Sequence, residues 1–336
     1  MKKFVYNPAL LILGVATGFG AIDGTVVNGT SGRPAPGISL TLLKPGAQGM
    51  QTLGTTASDA AGHFVFANDQ PGGGPQLVQA NYRGVTYNKL FAPNMSTSNA
   101  QLQVYEPTKS PGAVNVAQRM LVLEPSSSRL NVNETILLEN NTKTTYNNDT
   151  LGAIRFYLPP ATNGQVKVNA QGPQGMPLPR PAEKTEETDI FKVDFPIKPG
   201  ETQIQIAYVL PVGSPLTFRG RLANIAGMHA GGLRLVAPPG VILSGKDIQT
   251  LGTEPQTRAT IYDVRGSDFA VDVAGIGSLQ GGGDEESNES ESPPLTEGQP
   301  AIYRHLPLLI GVAFTILAVG MILLFRASPV RSPSGR

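Results

Sequence analysis

The chain has no cysteine and no tryptophan among its 336 residues, only three histidines, and charged residues at 15%. Without cysteine there are no disulfide staples, no thiolate metal ligands and no thiol nucleophile, so stability has to come from burial and hydrogen bonding. His63, His229 and His305 are too scattered to pair at ligand spacing, and any zinc site would need remote acids. No metal and no cofactor is expected. H-E-x-x-H, G-x-S-x-G and S-x-x-K patterns are missing. The glycine triplets at 72–74 and 281–283 join no strand to a helix, which removes the phosphate cradle. A net charge of +1 gives no electrostatic footprint for nucleic acid.

What the chain does have is one long apolar run. Leu306 to Phe325 is twenty residues without a charge, and as a helix rising about 1.5 Å per residue it matches the roughly 30 Å hydrocarbon core of a bilayer. Arg326, Arg331 and Arg336 follow it, whereas Asp284, Glu285, Glu286, Glu289, Glu291 and Glu297 precede it. Basic residues near a span stay on the cytoplasmic side, so the tail 326–336 is expected inside and everything before about 305 outside. Gly311, Thr315 and Ala318 fall on one face of that helix. They form a candidate packing surface for a second helix, either in a weak homodimer or in a membrane complex.

The amino terminus agrees with export. Lys2 and Lys3, the apolar stretch Ala9 to Ala16 and the small residues Gly18, Gly20 and Ala21 have the layout of a signal peptide over 1–21. Neither Ala16-Thr17-Gly18 nor Gly18-Phe19-Gly20 decides whether it is cleaved. Residues 276–303, rich in Gly, Ser, Pro and acids, read as a solvated linker, since like charges this dense repel and extend.

Between these ends the apolar period is two, not 3.6, which predicts short strands. In 22–107 they include Ile38–Leu42, Phe64 and Phe66 on one face, Val78–Tyr82, Val85–Phe91 and Leu102–Tyr105, with Ser58-Asp59-Ala60-Ala61-Gly62 as a tight turn. After a linker, 113–275 continues in the same style. Val116–Leu123, Leu130–Leu138 and the alternation Ile204, Ile206, Tyr208, Leu210 stand out, and 171–188 reads as an exposed loop. The residues leave open whether 113–275 is one body or two, with a second beginning near 212. The fold class expected is all-β, as tandem β-sandwiches with one C-terminal transmembrane helix.

Three stretches carry a resemblance: Gly24 to Leu42 (GTVVNGTSGRPAPGISLTL), Ser58 to Phe66 (SDAAGHFVF) and Leu77 to Tyr87 (LVQANYRGVTY). Together they resemble the carboxypeptidase regulatory-like family of transthyretin-like sandwiches, with Ser58 where the family usually has Thr. The resemblance implies a non-catalytic module for binding or spacing. In 113–275, Asn140–Thr142, Phe156–Pro159, Pro199–Thr202 and Tyr208–Pro211 are similar to β-rich regions that follow such modules in some bacterial envelope proteins.

The function expected is that of a non-catalytic membrane-anchored envelope protein, periplasmic or extracellular in its bulk, contacting a protein or glycan through loops such as 71–75 and 171–188. Two alternatives stand beside it. One is an accessory subunit that packs through its transmembrane helix. The other is a hydrolase with a dispersed site, for which two carboxylates such as Glu183 and Glu186 could pair in principle, although they lie in the charge-rich stretch that reads as a solvated loop. Asn28, Asn94, Asn133, Asn140, Asn148 and Asn288 each sit in N-x-S/T, which turn chemistry accounts for as readily as glycosylation.

Overall fold

The computed structural model describes residues 22–279 apart from 47–48, 67–73, 94, 174 and 230. The span 306–325 and Gly311, Thr315 and Ala318 lie outside the described residues, as do the signal segment and most of the acidic linker. Among the described residues no helix is long and apolar enough to cross a membrane. Their regular structure is almost all strand, with two three-residue 3-10 turns at Pro111–Ala113 and Pro160–Thr162.

The first part is built from β1 (Ile22–Asn28), β2 (Arg33–Pro34), β3 (Ser39–Gly46), β4 (Gly49–Ala57), β5 (His63–Phe66), β6 (Gln76–Tyr82), β7 (Val85–Phe91) and β8 (Ala100–Val104). One sheet has the order β2-β1-β5 with β8 parallel to β1, and the other runs β4-β3-β6-β7. Strict alternation along β1 turns Ile22 and Val26 inward. Leu40, Leu42, Phe64, Phe66, Val78 and Tyr87 join them, so both sheets share one apolar cluster.

Local chemistry explains the turns. Asp59 Oδ1 accepts from the amides of Ala61 (2.9 Å) and His63 (2.8 Å), and Gly62 completes the turn at φ +77°. A Cβ on Gly62 would lie 2.5 Å from the Val26 carbonyl, and one on Gly24 would lie 2.1 Å from that of Ala100. Both positions therefore require glycine. Buried Ser58 donates to Ala35 O (2.7 Å) and accepts from Ile38 N (2.9 Å), which pins the segment entering β3.

A short strand, β9 (Pro107–Thr108), leads into the second part. There follow β10 (Asn115–Pro125), β11 (Arg129–Asn140), β12 (Thr145–Tyr146), β13 (Ile154–Tyr157), β14 (Lys167–Gln171), β15 (Leu178–Arg180), β16 (Glu183–Lys184), β17 (Ile190–Val193), β18 (Gly200–Pro211), β19 (Thr217–Arg221), β20 (Leu233–Ala237), β21 (Val241–Ser244), β22 (Ile248–Thr253), β23 (Thr260–Val264) and β24 (Asp268–Gly275). Eight of these form one sheet, β15-β14-β18-β11-β10-β20-β23-β22, and two three-stranded sheets are β13-β17-β16 and β19-β24-β21. All three sheets contribute to a single apolar cluster, from Val114 to Val273.

Phe218, Leu235, Tyr262 and Val271 belong to the same core as Leu123, Val132 and Phe156, because β20 pairs parallel to β10 and draws the later strands into the first sheet. The stretch 171–188, expected as a loop, is corrected, for it holds β15, paired to β14, and β16, paired to β17. The His229 carbonyl accepts from Val116 N at 2.8 Å, which ties that segment to the start of β10. β22 was not anticipated at all.

Candidate functional site

Chemistry-bearing side chains gather in two places. The first lies between the sheets of the second part. Alternation turns Arg119 inward beside Leu121 and Leu123, and Glu134 inward between Val132 and Ile136. Their side chains are 6% and 4% exposed and form an ion pair, Arg119 Nε to Glu134 Oε1. Arg119 Nη1 also donates to Ala223 O at 3.1 Å. Around the pair stand Tyr157, Tyr208, Phe218 and Phe269, enclosing about 10 Å³, about what one water molecule needs. Burial pushes the Tyr208 phenol far above its ordinary range, and the Glu134 carboxylate pushes it further. Sequence reasoning missed this pair although its signal was present: an acid at inward parity in L-N-V-N-E-T-I-L-L is a buried charge that needs a partner.

The second place is the joint between the two parts. Glu106, at the end of the first part, accepts from Tyr82 OH, from Asn28 Nδ2 (2.8 Å) and from Arg83 Nη1. The Tyr82 hydrogen bond, with those from Asn28 and Arg83, holds its carboxyl below the usual range. The backbone beyond it crosses over: β9 pairs parallel with β12, and Thr145 N donates to Glu106 O at 2.9 Å. Thr30 Oγ1 donates to Lys143 O, and the buried Tyr87 and Thr145 hydroxyls meet at 2.8 Å. Above the Tyr87 ring, 4.9 Å from its centre, lies the Lys198 ammonium. Burial lowers that group to about 8.

Three asparagines of the N-x-S/T motifs shape this joint as Asx turns. Asn28 Oδ1 accepts from Thr30 N (2.9 Å), Asn140 Oδ1 from Thr142 N (3.0 Å) and Asn148 Oδ1 from Thr150 N (3.1 Å). Asn140 is 1% exposed, and its amide also donates to Thr144 O and Ile197 O. The turn reading of these motifs therefore has a direct physical basis at these three positions.

The joint enters the second part at the start of β10. The chain leaves at that strand's other end, where Gly277 N donates to Pro125 O (3.2 Å), while Ser278 Oγ (3.1 Å) and Leu279 N (2.8 Å) donate to Glu124 Oε1. β10 is eleven residues long, so the two attachment points are separated by about 35 Å of extended strand.

Other expected residues are dispersed. Glu183 sits on β16 and pairs with Lys192 at 3.3 Å, apart from Glu186, and His63 lies on the exposed side of β5. Among the described residues no group of three or more potential ligands could hold a metal. Of the two expected contact loops, 71–75 is largely outside the described residues.

No family model matches the chain, and no curated protein matches it. Among solved structures, an M1 zinc metallopeptidase from Deinococcus radiodurans is similar over 48% of this chain and 42% of its own length, at 14% identity and a TM-score of 0.27. The chain thus spans less than half of that structure.

Proposed function

We propose that this chain is a non-catalytic, membrane-anchored envelope protein that presents tandem β-sandwiches, the first of them carboxypeptidase regulatory-like, for protein or glycan binding. The observation that carries the reading is the placing of the joint and the exit point at opposite ends of β10. The linker 276–303 and the span 306–325 follow Leu279 in the sequence, and the first body is fastened to the second by hydrogen bonds and a strand pairing, not by a free linker. Arg119, Glu134, Glu106 and Lys198 support the same reading, because each is engaged inside a core or a joint.

Fractionation tests it. The full chain should stay with membranes through alkaline carbonate, and protease added to spheroplasts should cut in 280–303 and release the β bodies. A chain that washes off, or bodies that the protease spares in intact spheroplasts, would overturn the reading. The small-residue face Gly311, Thr315 and Ala318 favours a second reading, packing of the span in a membrane complex. Changing Gly311→Leu and Thr315→Leu would then lose a co-purifying partner.

A further inference from the structure

A pull along the chain enters the second body through one strand and leaves it through another. From the first body the covalent path runs through Ser110 into Asn115, the first residue of β10, and toward the linker it runs out of β24 through Gly277. β10 lies inside its sheet. β11 flanks it antiparallel from Asn115 opposite Glu139 to Pro125 opposite Leu130, and β20 flanks it parallel from Arg119 opposite Leu233 to Val122 opposite Val236. β24 is likewise the middle strand of three, with Asp268 opposite Arg221 on β19 and Gly275 opposite Val241 on β21. The two strands also advance in the same sense. Phe269, near the start of β24, lines the small cavity beside Arg119, and Gly277, just past its end, bonds to Pro125 at the end of β10.

We infer that the second body is a tension member, which passes a pull between the first body and the membrane anchor without opening. The inference rests on the anchored-display reading above and adds a mechanical role to it. A pull draws β10 by its leading end and β24 by its trailing end, in opposite directions along lines that run side by side. Hydrogen bonds between antiparallel strands stand perpendicular to the strands, and those between parallel strands slant. Neither kind lies along the pull, so the bonds on both flanks of each strand are sheared together. Peeling would instead break them one after another, each against the whole force. The outgoing chain is also clamped to the end of β10, where Glu124 Oε1 accepts from Ser278 Oγ (3.1 Å) and Leu279 N (2.8 Å). While that clamp holds, the pull passes straight along β10. No disulfide offers a bypass, because the chain has no cysteine.

The test is single-molecule force spectroscopy on the full chain in lipid nanodiscs, with DNA handles on pairs of introduced cysteines. Forced opening follows the barrier to unfolding and not equilibrium stability, so rupture force is the quantity to read. Ser110→Cys with Gly282→Cys pulls along β10 and β24. Ser110→Cys with Asn141→Cys, just after β11, instead draws the start of β10 away from the end of β11 beside it and peels the same ladder. Ser110 and Asn141 are exposed, so both variants should keep the parental melting temperature, and the two pulls then compare one fold in two directions. At equal loading rate the lengthwise pull is expected to need at least about twofold more force than the peel, and to free 115–275 in one step. Equal or lower force, or early loss of β24 alone at low force, overturns the inference. Either result in a chain that still resists alkaline carbonate leaves the anchored-display reading standing; a chain that washes off overturns that reading whatever the forces.

Discussion

Glu134 and Arg119 occupy positions that alternation along β10 and β11 otherwise gives to Leu, Val and Ile, and their pairing is what makes those positions tolerable. Removing one partner leaves the other charged and buried, a loss of about 3–5 kcal/mol. Glu134→Ala should therefore unfold at much lower denaturant concentration than the parent. Glu134→Leu combined with Arg119→Met should recover most of the loss, as chemical denaturation would show. Lys198 has the opposite character: it is half-buried over the face of Tyr87, and among the described residues no carboxylate pairs with it. Its ammonium is lowered from 10.5 to about 8. Between those values the unfolded chain binds a proton that the folded chain does not, so stability rises with pH across that window and the lysine opposes folding below it. Denaturation at pH 7 and pH 9 should find the parent more stable at pH 9, and Lys198→Met about equally stable at both. A parent with no such difference would show that the ring compensates the lost hydration.

At the scale of elements, the long strands were legible. Val85–Phe91 and the alternation through Ile204, Ile206, Tyr208 and Leu210 appear in β7 and β18 as their apolar period implies, because each has one wet and one dry face. The stretch 171–188 was not legible as strand. β15 and β16 are three and two residues long, too short to display a period, and Pro179 and the surrounding charges look like a loop. The joint was hidden for a different reason. β9 and β12 are two residues each and pair across 38 positions, Pro107 with Thr145 and Thr108 with Tyr146, and parallel pairing of such pieces leaves no local signature. Only the repeated N-x-T at Asn28, Asn140 and Asn148 marked the place. Asn140→Ala removes the turn's acceptor and strands two carbonyls, a loss of about 2–3 kcal/mol. Differential scanning calorimetry should show the second body melting at lower temperature while far-UV spectra below the transition stay unchanged.

At the scale of the described residues as a whole, the joint sets how stiffly the first body is held. A single covalent linker would let the first body swing, whereas the crossover of β9, the Thr30–Lys143 and Tyr87–Thr145 hydrogen bonds and the Glu106 cluster fasten it at several points. With no native cysteine, two can be introduced without background: His63→Cys on the exposed side of β5 and Ser128→Cys in the exposed turn after β10. Pulsed dipolar spectroscopy on the spin-labelled full chain in lipid nanodiscs then measures how the first body is held relative to the end of β10. The account predicts one narrow distance distribution in the parent, and a visibly broader one when Thr145→Val removes the hydroxyl that meets Tyr87. A broad or multiple distribution in the parent, unchanged by that substitution, would contradict it.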